Sequence, residues 1–158
     1  MDKNRYIEKL GVFANMATRL SALSTCKREG AKVGCVIFPF DCSAIYALGY
    51  NGQPVGFSHD YCRNEVGNCG CIHAEANAIA KFNNDLAQPS ILYTTRCPCE
   101  ACAGLIINSR QIKLVIFRDE HSNTTGFTNI DLSHIYIYQE SEMVKHLSVI
   151  EALRNDNL

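Results

Sequence analysis

The sequence predicts a single α/β domain with a central five-stranded mixed sheet flanked by helices. Two observations lead to this prediction. Helical and strand patterns alternate along the second half of the chain, and no repeat or low-complexity tract interrupts them. The 158 residues, 47% of them hydrophobic, are enough for one sizeable core, so we assign residues 1–158 to one domain.

The first half of the chain predicts one helix, one hairpin and one long loop. Apolar residues recur at helical spacing from Tyr6 to Leu20. Segments 32–40 and 44–50 are rich in β-branched and aromatic residues, and the short stretch between them predicts a hairpin. Residues 52–71 contain several glycines and show little periodicity, which predicts a long loop of the kind that often carries function.

The second half predicts helices that alternate with strands. Because helices between strands imply crossover connections, we expect parallel pairing in this part of the sheet. A polar stretch without regular structure is expected at 118–131. The expected helices cover 73–83, 99–108 and 142–154, and the expected strands cover 91–95, 113–117 and 134–138.

Composition narrows the class of ligand and the compartment. The formal net charge is -1, from 15 basic and 16 acidic residues, so a broad positive surface for nucleic acid is not expected and a small molecule is the better candidate. We see neither a secretion signal nor a long apolar run, which favours a cytoplasmic protein without membrane association. In such a reducing compartment, nine cysteines indicate free thiols or metal ligands.

Four residues at two predicted helix starts carry the chemistry. His73 and Glu75 open one helix, and Cys99 and Cys102 open the next, where two thiolates three residues apart lie on one side. A zinc ion with one histidine and two cysteine ligands keeps its fourth position for water. Zinc lowers the pKa of that water to about 7, and Glu75 can carry its proton to a departing amine. The pattern predicts hydrolytic deamination of a nucleobase.

Each half of this pattern has a simpler interpretation by itself. A CxxC pair can be redox-active or half of a structural zinc site, and an HxE sequence on a helix can be ordinary surface. A zinc-stabilised binding module without catalysis therefore stays an alternative. The combination at two successive helix starts favours the enzyme.

These motifs resemble the cytidine deaminase superfamily and, within it, the deoxycytidylate (dCMP) deaminases. The resemblance implies that zinc-bound hydroxide attacks C4 of dCMP to give dUMP and ammonia. It also implies that His73, Cys99 and Cys102 hold the zinc and that Glu75 shuttles the proton. The segments that carry it are STCKR (24–28), VGCVI (33–37), GYNG (49–52), IHAEANAI (72–79), PCEAC (98–102) and IKLVIF (112–117).

The same resemblance implies residues that bind the nucleotide. Asn51 of GYNG is expected to contact the sugar or base, and Ala74 to line the substrate site. A phosphate also needs a cation, for which Arg28 and Arg96 are the candidates because a guanidinium group suits bidentate contact. Other substrates of the same chemistry, namely cytidine, cytosine or adenosine in transfer RNA, stay open.

A second, structural zinc occurs in some dCMP deaminases and would order the long loop. The matching positions offer Cys26, either His59 or Cys62, Cys69 and Cys71, which is enough for a closed four-ligand site. The alternative is that these thiols are reduced and unligated, or that some form a disulfide. The resemblance also implies dCTP and dTTP as effectors and a homo-oligomer, often a hexamer.

Overall fold

A five-stranded mixed sheet organises the computed structural model, which describes residues 2–66, 68–83 and 88–156; residues 1, 67, 84–87 and 157–158 lie outside it. The strand order is β2-β1-β3-β4-β5. β1 pairs antiparallel with β2 and β3, whereas β3-β4 and β4-β5 are parallel, which confirms the predicted sheet. The strands are β1 (Gly34–Pro39), β2 (Ala47–Tyr50), β3 (Ser90–Arg96), β4 (Ile112–Asp119) and β5 (Tyr136–Gln139).

In the part of the chain that the structure describes, five α-helices cover the two faces of the sheet. Because side chains alternate along a strand, Val36 and Phe38 of β1 face one side and Cys35 and Ile37 face the other. The first side packs against α1 and α5, and the second against α2, α3 and α4. The helices are α1 (Lys3–Ser21), α2 (Ala74–Ile79), α3 (Glu100–Asn108), α4 (Thr125–Leu132) and α5 (Leu147–Asp156). None of them, within the described residues, has the length and apolar character needed to cross a membrane.

One predicted segment is wrong and several boundaries differ. The stretch expected to be polar and irregular contains α4, whose buried residues are only Gly126 and Ile130, with Phe127 packed edge-on against Phe117. Because this apolar face is so narrow, the sequence of α4 shows no clear helical periodicity of hydrophobic residues. The last strand begins at Tyr136, since His134 has a positive φ of 64° and cannot continue a strand. A 3-10 helix, Glu140–His146, replaces the first turn of the predicted closing helix.

Because residue 49 in β2 is glycine, the backbone of α2 packs directly against the backbone of β2. A Cβ atom there would collide with the carbonyl oxygen of Ala74 and lie 2.7 Å from the nitrogen of Ala78. Beside it, Asn77 Nδ2 donates a hydrogen bond of 2.8 Å to the carbonyl of Tyr50. The position of α2, and of the residues at its start, is therefore set by the absence of a side chain at Gly49.

We expect Gly49→Ala to lower the free energy of unfolding by about 3 kcal/mol or more, because backbone atoms cannot yield as flexible side chains do. Urea denaturation of the purified variant measures the change. Gly104→Ala is the matched control: in α3 a new Cβ would meet nothing within 4 Å, so we expect stabilisation by about 0.5–1 kcal/mol. Wild-type stability in Gly49→Ala would contradict the proposed constraint.

Candidate active site

Three potential metal ligands meet where two helices begin. His73 directly precedes α2, Cys99 directly precedes α3, and Cys102 lies in the first turn of α3. His73 Nδ1 lies 3.4 Å from Cys99 Sγ and 3.5 Å from Cys102 Sγ, and all three donor atoms lie within 4.8 Å of one another. The structure thus brings together the three ligands that the sequence pattern predicts.

The separations of these donor atoms fit a zinc ion. In a tetrahedral zinc site, bonds of about 2.0–2.1 Å to nitrogen and about 2.3 Å to sulfur place the two donors roughly 3.5 Å apart. The nitrogen–sulfur distances of 3.4 and 3.5 Å agree with this value. One imidazole and two thiols are also the donors that zinc prefers, so the group matches zinc in both chemistry and geometry.

Hydrogen bonds within the group favour the thiolate form of Cys99. Hydrogen bonds from the Cys102 thiol and the His73 ring hold the pKa of the Cys99 thiol at about 3. The hydrogen bond with Cys99, together with burial, raises the pKa of Cys102 above that of an ordinary thiol. The hydrogen bond to Cys99 also raises the pKa of His73. A divalent cation that bound here would therefore meet a thiolate at Cys99 and displace a proton from Cys102.

Glu75 is buried beside this group. Its side chain lies in the first turn of α2 and the residue is only 4% exposed. Thr94 Oγ1 donates to Oε1 at 3.5 Å, and Cys102 Sγ donates to Oε2 at 3.7 Å. Burial raises the pKa of this carboxyl group. Glu75 thus faces the ligand group from inside the protein, where a proton carrier would be needed.

One cavity, which we call the catalytic cavity, adjoins His73, Glu75 and Cys99. All four predicted substrate-binding residues line it, although they come from separate elements. One further lining residue, His121, was missed by the sequence analysis, because a single histidine in a polar stretch has no partner at a characteristic spacing. The cavity wall thus includes the four predicted residues, Arg28, Asn51, Ala74 and Arg96, together with His121.

The second cysteine group is also assembled. The four sulfur atoms of Cys26, Cys62, Cys69 and Cys71 all lie within 4.8 Å of one another, with Cys26 Sγ 4.0 Å from Cys62 Sγ and 3.9 Å from Cys69 Sγ. Four sulfurs around zinc at about 2.3 Å lie roughly 3.8 Å apart, so this group fits a closed site. His59, the alternative to Cys62, is exposed and lies outside the group.

Hydrogen bonds to the sulfurs orient this second group. The backbone N–H of Lys27 donates to Cys62 Sγ at 3.3 Å and lowers the pKa of that thiol to about 7. Gln53 Nε2 donates to Cys71 Sγ, also at 3.3 Å. All nine cysteines are free thiols, so the expected alternative of a disulfide is not what the structure contains. The hydrogen bonds from Lys27 and Gln53 to the sulfurs are of the kind that orient metal-binding thiolates.

The family model for the cytidine and deoxycytidylate deaminase zinc-binding region matches residues 7–118. The chain belongs to this deaminase family. A probable deoxycytidylate deaminase of Caenorhabditis elegans is 31% identical over 160 residues, which cover 96% of this chain and 79% of that protein. The deoxycytidylate deaminase of Schizosaccharomyces pombe is 29% identical over 123 residues, and the match spans 70% of this chain but only 37% of that longer protein.

A solved structure extends the similarity to the fold. The dCMP deaminase of the cyanophage S-TIM5, crystallised with dCMP and dUMP, superposes on this deaminase-family chain with a TM-score of 0.73. Its sequence is 29% identical, and the alignment covers 88% of this chain and 98% of the phage protein. The mixed five-stranded sheet with flanking helices is therefore the fold of this family.

Asn51 and Arg96, predicted as ligand-binding residues of this deaminase, hold the loop that precedes β1. Asn51 Oδ1 accepts from the backbone N–H of Val33 at 2.8 Å, and its Nδ2 donates to the carbonyl of Ala31 at 2.7 Å. Arg96 Nη2 donates to the carbonyl of Gly30 at 2.7 Å. Both side chains line the catalytic cavity, but their protein contacts position the loop, a role that the sequence analysis did not predict.

We expect Asn51→Ala to loosen this loop, because the variant leaves the Val33 N–H and the Ala31 carbonyl without partners, at about 1–3 kcal/mol each. Limited digestion with trypsin measures the effect, since Lys27, Arg28 and Lys32 offer cleavage sites in the loop. Cleavage should be faster than in wild type. Asn15→Ala is the matched control, because Asn15 is exposed on α1 and bonds only within that helix. Equal cleavage rates in Asn51→Ala and wild type would contradict the assignment.

Proposed function

We propose that the protein is a zinc-dependent dCMP deaminase that converts dCMP and water to dUMP and ammonia. One observation carries the proposal: His73 and Cys99 of the group that also includes Cys102 line the same cavity as Glu75, Arg28 and Arg96. The ligand group and Glu75 supply the deamination chemistry, and the two arginines supply cations for a nucleotide phosphate. The cyanophage relative, whose structure contains dCMP and dUMP, supports the same substrate here.

In this proposal His73, Cys99 and Cys102 hold the zinc. Bound there, zinc would act as a Lewis acid that makes water a nucleophile at neutral pH. The carboxylate of Glu75 accepts one proton from the attacking water and transfers it to the ring nitrogen next to C4. Glu75 then takes the second proton from the new hydroxyl group on C4 and gives it to the amino group, so that the C4–N bond breaks, the C4 carbonyl forms and ammonia leaves. Its burial keeps bulk water away from these transfers.

The remaining cavity residues bind the nucleotide. Ala74 lies between the proposed ligand and the proposed proton carrier, and its small side chain leaves space for a planar base. Arg28 is half-buried on the loop before β1. Arg96 uses one nitrogen for Gly30, so its other N–H groups can reach a phosphate. Guanidinium groups bind phosphate with paired, directional hydrogen bonds.

The first test is ammonia release by zinc-loaded protein with dCMP, CMP, deoxycytidine, cytidine and cytosine offered separately, each with and without dCTP. We expect a higher kcat/KM for dCMP than for deoxycytidine, and for CMP than for cytidine, because only nucleotides engage the arginines. The relatives lead us to expect dCMP to exceed CMP. Equal or better turnover of an unphosphorylated compound would overturn the dCMP assignment and keep the deaminase. No turnover of any of these compounds would favour another base or the non-catalytic binding module.

Glu75→Gln tests the proton carrier in the same assay. We expect it to keep its zinc and its fold and to lose about 10²–10⁴-fold in kcat, since the amide cannot accept and release the proton. Glu8→Gln is the matched control because it makes the same change at an exposed position of α1. Retention of wild-type kcat in Glu75→Gln would assign proton transfer to another group.

We further propose that Cys26, Cys62, Cys69 and Cys71 hold a second, structural zinc. Metal analysis of wild-type protein should then give two zinc ions per chain. Cys62→Ser should retain one and unfold at a lower temperature, because the long loop loses a cross-link. His59→Ala should retain both. One zinc in His59→Ala, or two in Cys62→Ser, would contradict this ligand set.

Oligomeric state, effectors and compartment stay predictions. A homo-oligomer, in the family often a hexamer, is supported by apolar side chains that the long loop exposes, among them Val55, Phe57, Tyr61 and Val66. Activation by dCTP and inhibition by dTTP rest on family membership. A cytoplasmic location is supported by the nine free thiols, which suit a reducing compartment.

A further inference from the structure

His121 lies where three cavities of the molecule meet. It follows the end of β4 by two residues and lines the catalytic cavity together with Asn51 and Glu75. It also lines a side cavity with Phe117 and Phe127. Finally, it lines a wider cleft outside the catalytic cavity, which we call the outer cleft and which Arg28, Arg96, Glu100, Glu120 and Asn123 border.

The imidazole ring is held by the turn that precedes α4. The backbone N–H of Asn123 donates to His121 Nδ1 at 3.0 Å, and the Asn123 carbonyl oxygen lies 3.1 Å from the same nitrogen. Asn123 Oδ1 in turn accepts from the backbone N–H of Thr125 at 2.9 Å and from its hydroxyl at 2.6 Å. The turn is therefore internally bonded and presents the ring in one orientation.

Asn123 contacts Nδ1 with both its N–H and its carbonyl oxygen, and leaves the other ring nitrogen for a ligand. The N–H contact matches the tautomer with the ring proton on Nε2, which makes Nε2 a donor, and the carbonyl contact matches the opposite tautomer. Within the described part of the chain, Nε2 has no hydrogen-bond partner. A ring nitrogen of fixed orientation without a protein partner lies at the junction of the catalytic cavity and a cleft with two arginines. In the tautomer with the proton on Nε2, it suits a ligand oxygen.

The charges of the outer cleft make such a donor useful. Arg28 and Arg96 supply two positive charges, but Glu100 and Glu120 line the same cleft and offset them. Net charge alone therefore does not select a phosphate here. Directional N–H donors select it, because they match the tetrahedral oxygens of the ligand.

We propose that His121 Nε2–H donates to the phosphate of the nucleotide, beside Arg28 and Arg96, and that it discriminates nucleotides from nucleosides. This inference rests on the proposed function and adds a specificity residue to it. The ring could instead stack on the base. The two roles differ in what they need from the side chain: phosphate binding needs the N–H donor, whereas stacking needs the flat ring.

Two substitutions separate these roles. His121→Gln removes the ring but places an amide N–H near the position of Nε2, and His121→Phe keeps a ring without a donor. We expect His121→Phe to weaken the binding of dUMP and of inorganic phosphate by about 10-fold or more. His121→Gln should stay within about threefold of wild type. The affinity for deoxyuridine should be unchanged in both.

Calorimetric titration of zinc-loaded protein with dUMP, deoxyuridine and inorganic phosphate measures these affinities without turnover. Zinc content and thermal unfolding check that the variants are folded. His134→Asn is the matched control: it changes an exposed histidine that does not line the outer cleft, and asparagine tolerates its positive φ.

The outcomes are distinct. Weak binding of dUMP by His121→Gln with full binding by His121→Phe would overturn the proposal in favour of stacking. Wild-type affinities in both variants would overturn it in favour of no contact. If wild-type protein binds dUMP through His121 but does not deaminate dCMP, the proposed reaction fails while the phosphate contact stands.

Discussion

The geometry of the candidate zinc site depends on backbone contacts that only glycine permits. Gly49 brings α2 against β2, and so sets the position of His73. Gly126 does the same for the other half of the site, because a Cβ there would collide with the Pro98 carbonyl and lie 2.7 Å from the carbonyl carbon of Cys99. Two helix starts are thus fixed independently, and their donor atoms meet at distances that suit one metal ion.

The loop before β1 links the four-cysteine group to the wall of the catalytic cavity. At one end, Cys26 belongs to the four-cysteine group. At the other, Asn51 and Arg96 hold the backbone between Gly30 and Val33. Arg28 lies between these two attachments and lines the catalytic cavity. A structural metal that orders the four cysteines would therefore also order Arg28, where the proposed phosphate contact lies. Such a metal would support substrate binding without touching the substrate.

The features that sequence predicts well are those with a fixed spacing. His73, Cys99 and Cys102 follow from the first turns of two helices, and the sheet follows from apolar strands separated by helices. Helix α4 was missed because its buried face is so narrow. The choice of Cys62 over His59 depends on the path of a loop without periodicity, and the role of His121 depends on a turn that brings a lone side chain to a distant cavity. Neither leaves a pattern in the sequence.

The residues that line the catalytic cavity change from buried at one end to half-exposed at the other, and this difference favours a nucleotide over a nucleoside. Glu75 lies at the buried end, while Arg28, Arg96 and His121 are half-exposed at the open end. A nucleoside would lack a phosphate to engage Arg28, Arg96 and His121 at the open end. A phosphate held at the open end would fix the base at the buried end, so binding energy far from C4 would position the reacting atom. In the proposed mechanism, the phosphate contacts should therefore contribute to turnover as well as to affinity.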